Sequence, residues 1–441
     1  MTRTSPPEVA APLPPRFPLP EHDRLDNGMA LRILHLPGQQ VISAAVVIDA
    51  PLTGEDPEGI GTIIARTLDE GTATDPGTRY AERLELLGAG FGAHQDLGGV
   101  VAGIDVPASR LADALGLLAD ALAEPALADA DLARQVALRL AEIEQQQANP
   151  AATAAREFRR TVFAPGYRGA RPVGGEPDTV AAITPDAARA RHARSYAPDR
   201  ATLVIGGDLG GADVRALAER AFGGWSGSAE AASPPVAAAG APAYRLIDRP
   251  GAVQANVSIG GFGIDRSDPR WPALRVALHA MGGSFGSRLN LLLREELGYT
   301  YGVRLAPAPL RTGGTFALSG SFRSEVTGDA ITRGLGLMID EVAPITTGEV
   351  TDAVNYYVGA APLQWATAEA LVDQHVRQVL DGLPDDHLTR QLEALGSVTA
   401  EQATAAYREI VTPESLSAVV VGAADDLDLP EHAALPPLTR G

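Results

Sequence analysis

The sequence of 441 residues contains no cysteine. That absence excludes disulfide cross-links, thiolate nucleophiles and cysteine-ligated zinc or iron–sulfur centres. Long apolar runs are missing as well: no stretch approaches the roughly 18 residues of a membrane-spanning helix, so no membrane partner is expected. Lysine and arginine form no dense run, and the formal net charge is −19. Such a balance speaks against nucleic acid as a partner and mildly favours basic ligands. Histidine is sparse: His22, His35, His94, His192, His279, His375, His387 and His432 never fall at the short spacings of helix-borne or strand-borne zinc sites. The N-terminus, MTRTSPPEVAAPLPPRFPLP, is rich in proline and has no apolar segment, so neither a secretory signal nor an anchor is expected, and the chain reads as cytoplasmic.

What is present is a duplicated plan. The hydrophobic content of 45% and the length suit two domains. A strand-like run starts at Val41, and Asp56-Pro57 follows fifteen residues later with the look of a helix cap. A second strand-like run starts at Val253, and Asp268-Pro269 follows at the same distance. The stripe Leu111, Leu115, Leu118, Leu122 is repeated by Ile331, Leu335, Met338 and Val342, each marking one face of a helix. The segments 183–207 and 398–422 share a capped helix, a proline at a common offset (Pro198, Pro413) and an apolar strand ending in glycine. Between the halves, residues 226–243 are low in bulky apolar side chains and read as a linker. Several strands run consecutively, so the expected fold is α+β, with two similar domains at 23–225 and 244–428, a disordered tail over 1–22 and a second tail over 429–441.

Two segments carry chemistry. Residues 59–72, GIGTIIARTLDEGT, place Ile60, Ile63, Ile64 and Leu68 on one face, which predicts a buried amphipathic helix stopping at Gly71. Residues 287–303, SRLNLLLREELGYTYGV, run a leucine-rich helix carrying Arg294 into a stop at Gly298, with Tyr299 and Tyr301 on a following strand. For an arbitrary arginine and tyrosine the bland account is that Arg294 pairs with Glu295 or Glu296 while the tyrosines pack in the core.

These segments, in this frame, resemble the pitrilysin/insulinase family of metallopeptidases, the inverzincins, and in particular the short branch that includes bacterial enzymes and the mitochondrial processing peptidase. The resemblance runs from about residue 23 to 425 and is densest over 244–342, where YRLIDRPGAVQANVSIG, GGSFGSRL and REELGYTYGV follow in family order. It implies two domains forming one half of a clamshell. In active members the first helix carries H-x-x-E-H, two zinc ligands flanking the base. Aligned on Gly59 and Gly71-Thr72, those positions fall on Thr62, Ala65 and Arg66, and the third ligand falls on Glu142. A threonine, an alanine and a permanent cation cannot replace the motif, and one carboxylate cannot hold zinc. No cofactor is therefore expected in this chain. Glu142 is expected as a solvated helix residue, and Arg66 as the partner of Asp69 and Glu70 at i+3 and i+4.

The resemblance also implies a role for the second segment. The family's second domain supplies an arginine and a tyrosine that hydrogen-bond the substrate and the developing oxyanion, and Arg294 and Tyr301 stand at that spacing. Both side chains donate hydrogen bonds, each such donor typically contributing roughly 2.7 to 4 kcal/mol to catalysis. The implied protein is a non-catalytic subunit whose zinc sits in an H-x-x-E-H partner. It would hold extended peptide by strand addition at the glycine-rich segment 88–106. The alternative is a catalytically inert peptide-binding or structural paralogue. An independent serine hydrolase is disfavoured, because GGSFGS is not G-x-S-x-G and His279 lies beside the stripe Leu274, Leu278, Met281, where a packed histidine is the default.

Overall fold

The structure, a computed structural model, describes residues 12–53, 57–229, 233–340 and 342–440. The expected cap at Asp56 lies outside the described residues. The first half contributes β1 (Glu21–Arg24), β2 (Ala30–His35), β3 (Val41–Ile48), β4 (Gly90–Gln95), β5 (Val100–Pro107) and β6 (Ala201–Gly207). They form one sheet in the order β1-β2-β6-β3-β5-β4. The second half contributes β7 (Tyr244–Asp248), β8 (Gln254–Gly263), β9 (Val303–Pro309), β10 (Gly314–Arg323), β11 (Ser417–Gly422) and β12 (Leu438–Arg440), ordered β12-β7-β11-β8-β10-β9. Strand for strand, β2-β6-β3-β5-β4 matches β7-β11-β8-β10-β9. Each block has one parallel pair, β2 with β6 and β7 with β11, and is otherwise antiparallel. The duplication read from spacing is thus a duplication of topology.

Six helices matter below: α1 (Ile60–Thr67), α2 (Asp129–Ala148), α3 (Pro150–Val162), α4 (Trp271–Leu278), α5 (Thr347–Gln364) and α6 (Ala368–Asp381). The helix expected from the Leu111 stripe spans Leu111–Ala123 and buries all four leucines. Pro198 and Pro413 each open a short 3₁₀ turn leading into β6 and β11. The helix after Asp268-Pro269 begins at Trp271, and the Asp268 carboxylate accepts from the Arg270 N–H at 2.8 Å.

The central strands β3 and β11 are buried on both faces, and the covering helices are exchanged. On β3, Ile42, Ala44, Val46 and Ile48 face the first half's own core, while Ala45 and Val47 pack on Val372 and Val376 of α6, a helix from the second half. On β11, Ala418 and Val420 face the second core, while Val419 and Val421 pack on Ala154, Phe158 and Val162 of α3, a helix from the first half. Two-sided burial explains why both strands read as nearly continuous apolar runs.

The segments expected as tails and linker carry structure. Phe17 N–H donates to Thr389 Oγ1 at 3.3 Å, and its ring meets Trp365 edge-on at 5.4 Å. Residues 1–11, also expected in that tail, lie outside the described residues. At the other end β12 extends the second sheet in parallel beside β7. Within 226–243, Ala239 bridges to Phe163 and Ala164 N–H donates to the Ala238 carbonyl at 2.9 Å, so the linker is pinned to the end of α3.

Candidate functional site

Helix α1 starts at a glycine for a steric reason. Gly59 has φ of 93°, and a Cβ there would meet Val180 Cγ2 at 2.8 Å. From that start Ile60, Ile63 and Ile64 are buried in the first core. Ala65 is also buried, at 1% exposure, so it faces packing and not solvent. Thr62 and Arg66 lie one turn apart on the partly exposed side.

Arg66 does not pair along its own helix. Nη1 donates to Glu142 Oε1 at 2.8 Å and Nη2 to Oε2 at 2.9 Å, a bidentate pair joining α1 to α2. The expected i+4 partner, Glu70, is taken by Arg134 at 2.8 Å. Nor is Glu142 merely solvated: Arg139, a buried side chain anchored to the Gly174 carbonyl, donates to it at 3.2 Å. The Arg66 hydrogen bonds, followed by those of Arg139, hold the Glu142 carboxyl below the usual glutamate range. Both corrections have one cause. Helix packing brings α2 across α1, and a contact between helices outcompetes the local spacing rule.

These residues do not fit a zinc ion. The hydroxyl of Thr62 is a weak donor, Ala65 has none, and the one carboxylate is occupied by two guanidinium nitrogens. Among the described residues, no three His, Asp or Glu side chains converge as a metal cluster.

Arg294 and Tyr301 sit at the other candidate site. Gly298, with φ of 64°, supplies the left-handed turn out of the helical segment. Arg294 lies in the π-helical turn Leu291–Glu296, and its guanidinium sits 3.2 Å from the centroid of Phe285. It donates to Glu295 Oε1 at 2.9 Å and to the Phe285 carbonyl at 3.1 Å. The bland pairing with Glu295 therefore occurs. Tyr301 does not lie on the strand as expected, since β9 begins two residues later, and it is 100% exposed. Among the described residues it makes no hydrogen bond, to Arg294 or otherwise. Tyr299 donates to Asp329 Oδ2 at 2.8 Å. The structure thus shows no contact between Arg294 and Tyr301 among the described residues. Sequence reasoning missed Phe285 as the platform for Arg294, although an exposed phenylalanine in a glycine-rich turn was the available signal.

A family profile described as Insulinase (Peptidase family M16) matches residues 33–170, and one described as Peptidase M16 inactive domain matches residues 182–357. The chain belongs to the insulinase family, M16. An uncharacterized zinc protease of Mycobacterium tuberculosis (strain ATCC 25618 / H37Rv) is 25% identical over 446 residues, covering 98% of this chain and 99% of that protein. An uncharacterized zinc protease of Streptomyces coelicolor is 26% identical over 306 residues, 68% of this chain, and the match spans 66% of that protein, just under two thirds. Two solved structures share the fold. The peptidase M16 inactive domain from Pseudomonas fluorescens has a TM-score of 0.84 at 23% identity, covering 92% of this chain and 98% of that one. A protease from Helicobacter pylori has a TM-score of 0.83 at 15% identity, covering 92% and 100%.

The two equivalent edge strands of this M16 chain differ in what they offer a peptide. Leu310 N–H donates to the Gly313 carbonyl at 2.9 Å, which fixes the alternation along the β9–β10 hairpin. Val303, Leu305, Pro307 and Pro309 then turn their backbone outward. The two prolines have no N–H, and Asn290 takes both the Val303 N–H at 2.9 Å and its carbonyl at 3.0 Å. Edge β9 is blunted against strand addition. On β4 the Asp96 N–H donates to the Gly99 carbonyl at 2.7 Å, so Phe91, Ala93 and Gln95 turn outward. All three keep their N–H groups. The glycine-rich segment 88–106 does pair, as a hairpin with one open edge.

Proposed function

We propose that this chain is the non-catalytic subunit of a heterodimeric zinc endopeptidase, one half of a clamshell around extended peptide. In this reading β4 holds the peptide by main-chain hydrogen bonds, and Arg294 and Tyr301 act on a zinc site carried by an H-x-x-E-H partner. The observation that carries the proposal is a contrast. The residues at the chain's own metal positions are closed by the Arg66–Glu142 pair, whereas Tyr301 stands fully exposed without a partner among the described residues. A donor with no partner among the described residues suits a site completed by another chain. Arg294 rests on an exposed phenylalanine and an exposed glutamate, from which a substrate carbonyl can draw it.

The same contact favours a second reading, an inert peptide-binding paralogue in which Arg294 simply stays with Glu295. Co-expression with an H-x-x-E-H sibling separates the two. Co-elution and chelator-sensitive cleavage that needs both chains support the divided enzyme. A sibling that is active alone and does not associate supports the paralogue.

A further inference from the structure

A cavity of about 330 Å³ opens where β9 meets α4, α5 and α6, with no residue of α1 in its lining. In a chain of net charge −19, no aspartate or glutamate lines it among the described residues. Its cations are Arg266, Arg275 and Arg304. Arg266 is already neutralised by Asp381 at 2.6 Å. Arg275 and Arg304 make no ion pair among the described residues. Arg275 lies over the Tyr357 ring, 4.2 Å from its centroid, and 5.9 Å from that of Trp271.

The rest of the wall is aromatic and uncharged. His279 stacks on Tyr356 at 4.8 Å, and Trp365 closes one side. Burial lowers the proton affinity of His279 and brings that of His387 down to about 4, so both rings are neutral near pH 7. The carboxylate acting on His279 is Asp352, one turn before Tyr356 on α5 and not itself part of the cavity lining. Two guanidinium groups without counter-ions, set among rings, form a complement to a carboxylate on an apolar body.

We infer that this cavity is a carboxylate-binding subsite, taking an acidic side chain or the C-terminal carboxylate of a bound peptide. The inference rests on the peptide-binding reading above and deepens it. It also reverses the preference for basic ligands that the overall charge suggests, because the lining and not the sum of charges sets the local field. The Pro307 and Pro309 edge passes along this cavity, so the anchoring there is by charge and not by backbone pairing.

The chain carries its own reporter. Of its three tryptophans, Trp271 and Trp365 line the cavity, and Trp225 is buried in the first core. Tryptophan fluorescence of the full-length chain is titrated with four ligands. They are an amidated alanine-based peptide with one glutamate, its amidated glutamine counterpart, the glutamine peptide with a free C-terminus, and N-acetylphenylalanine as a small carboxylate. The expected result is that at least one carboxylate-bearing ligand binds about tenfold or more tighter than the amidated glutamine peptide. Arg304→Gln, at an exposed position, removes that advantage. Which peptide gains identifies the side chain or the C-terminus as the source. Binding of N-acetylphenylalanine that depends on Arg304, with no peptide binding, upholds the subsite and overturns the peptide groove. Peptides that bind equally with or without a carboxylate, or an Arg304→Gln chain with unchanged affinities, overturn the subsite.

Discussion

Arg66 and Glu142 stand 76 residues apart in sequence, and both terminal nitrogens of the arginine donate to both oxygens of the glutamate. The contact sits at the two positions that, by family resemblance, would carry a second and a third zinc ligand. At that junction a guanidinium ties α1 to α2 by charge. With the two side chains 33% and 40% exposed, solvent screens the pair, and its contribution to stability is about 0–1 kcal/mol.

Arg66→Ala is accordingly expected to lower stability by less than about 1 kcal/mol at neutral pH. The pH dependence follows from Glu142, whose proton affinity is lowered in the fold. A depressed carboxyl contributes stability above its ordinary value of 4.5 and loses it as pH falls through the folded value. Denaturant titrations should show a constant gap between wild type and variant from pH 5 to 8 that closes on further acidification. A gap that widens in acid contradicts this assignment.

If packing already brings position 66 to Glu142, ligands are what the site lacks. Thr62→His combined with Arg66→His should create a zinc site with Glu142 as third ligand. At zinc about 100-fold above Kd, the double variant should gain about 2.7 kcal/mol of stability. It should remain inactive alone, because Ala65 stands where the base belongs. Calorimetry with and without zinc checks the first expectation, and an equal response from wild type sinks it.

Edge β4 offers outward N–H groups at Phe91, Ala93 and Gln95. Ala93→Pro removes the central one at a position that does not bond to β5, so the fold should be retained. Affinity for an extended peptide should fall by about tenfold. Unchanged peptide affinity in a folded variant would place the peptide elsewhere.

The exchange of α3 and α6 predicts one cooperative unit. Phe158, on α3 of the first half, packs on Val419 and Val421 of the second sheet. Phe158→Ala should cost roughly 3–5 kcal/mol and lower a single calorimetric transition. Two resolved transitions, with only one shifted, would show that the halves melt independently.

Much of this was legible in the sequence. Strand runs at Val41 and Val253, the Leu111 stripe and the Pro198 and Pro413 offsets all mark elements of the duplicated fold, because periodicity and turn residues are local signals. Contacts across the fold were not legible. Nothing in ARTLDE says that Arg66 prefers a glutamate on another helix to the one at i+4. The exchange of α3 and α6 was equally hidden, although the unbroken burial of β3 and β11 was its trace. The helix stop at Gly298 predicts that Tyr301 lies on the strand that follows, but the turn after Gly298 delays β9 to Val303. The cationic cavity is assembled from residues 266 to 391, spread over six elements, and no window of sequence displays it.

The most direct test of the divided-enzyme reading is hydrolysis of a quenched fluorescent peptide by the chain reconstituted with its H-x-x-E-H sibling, comparing wild type with Arg294→Ala. Loss of one oxyanion donor should lower kcat by roughly 10²–10³-fold while the pair still co-elutes. Cleavage at the wild-type rate by the Arg294→Ala pair would contradict the account.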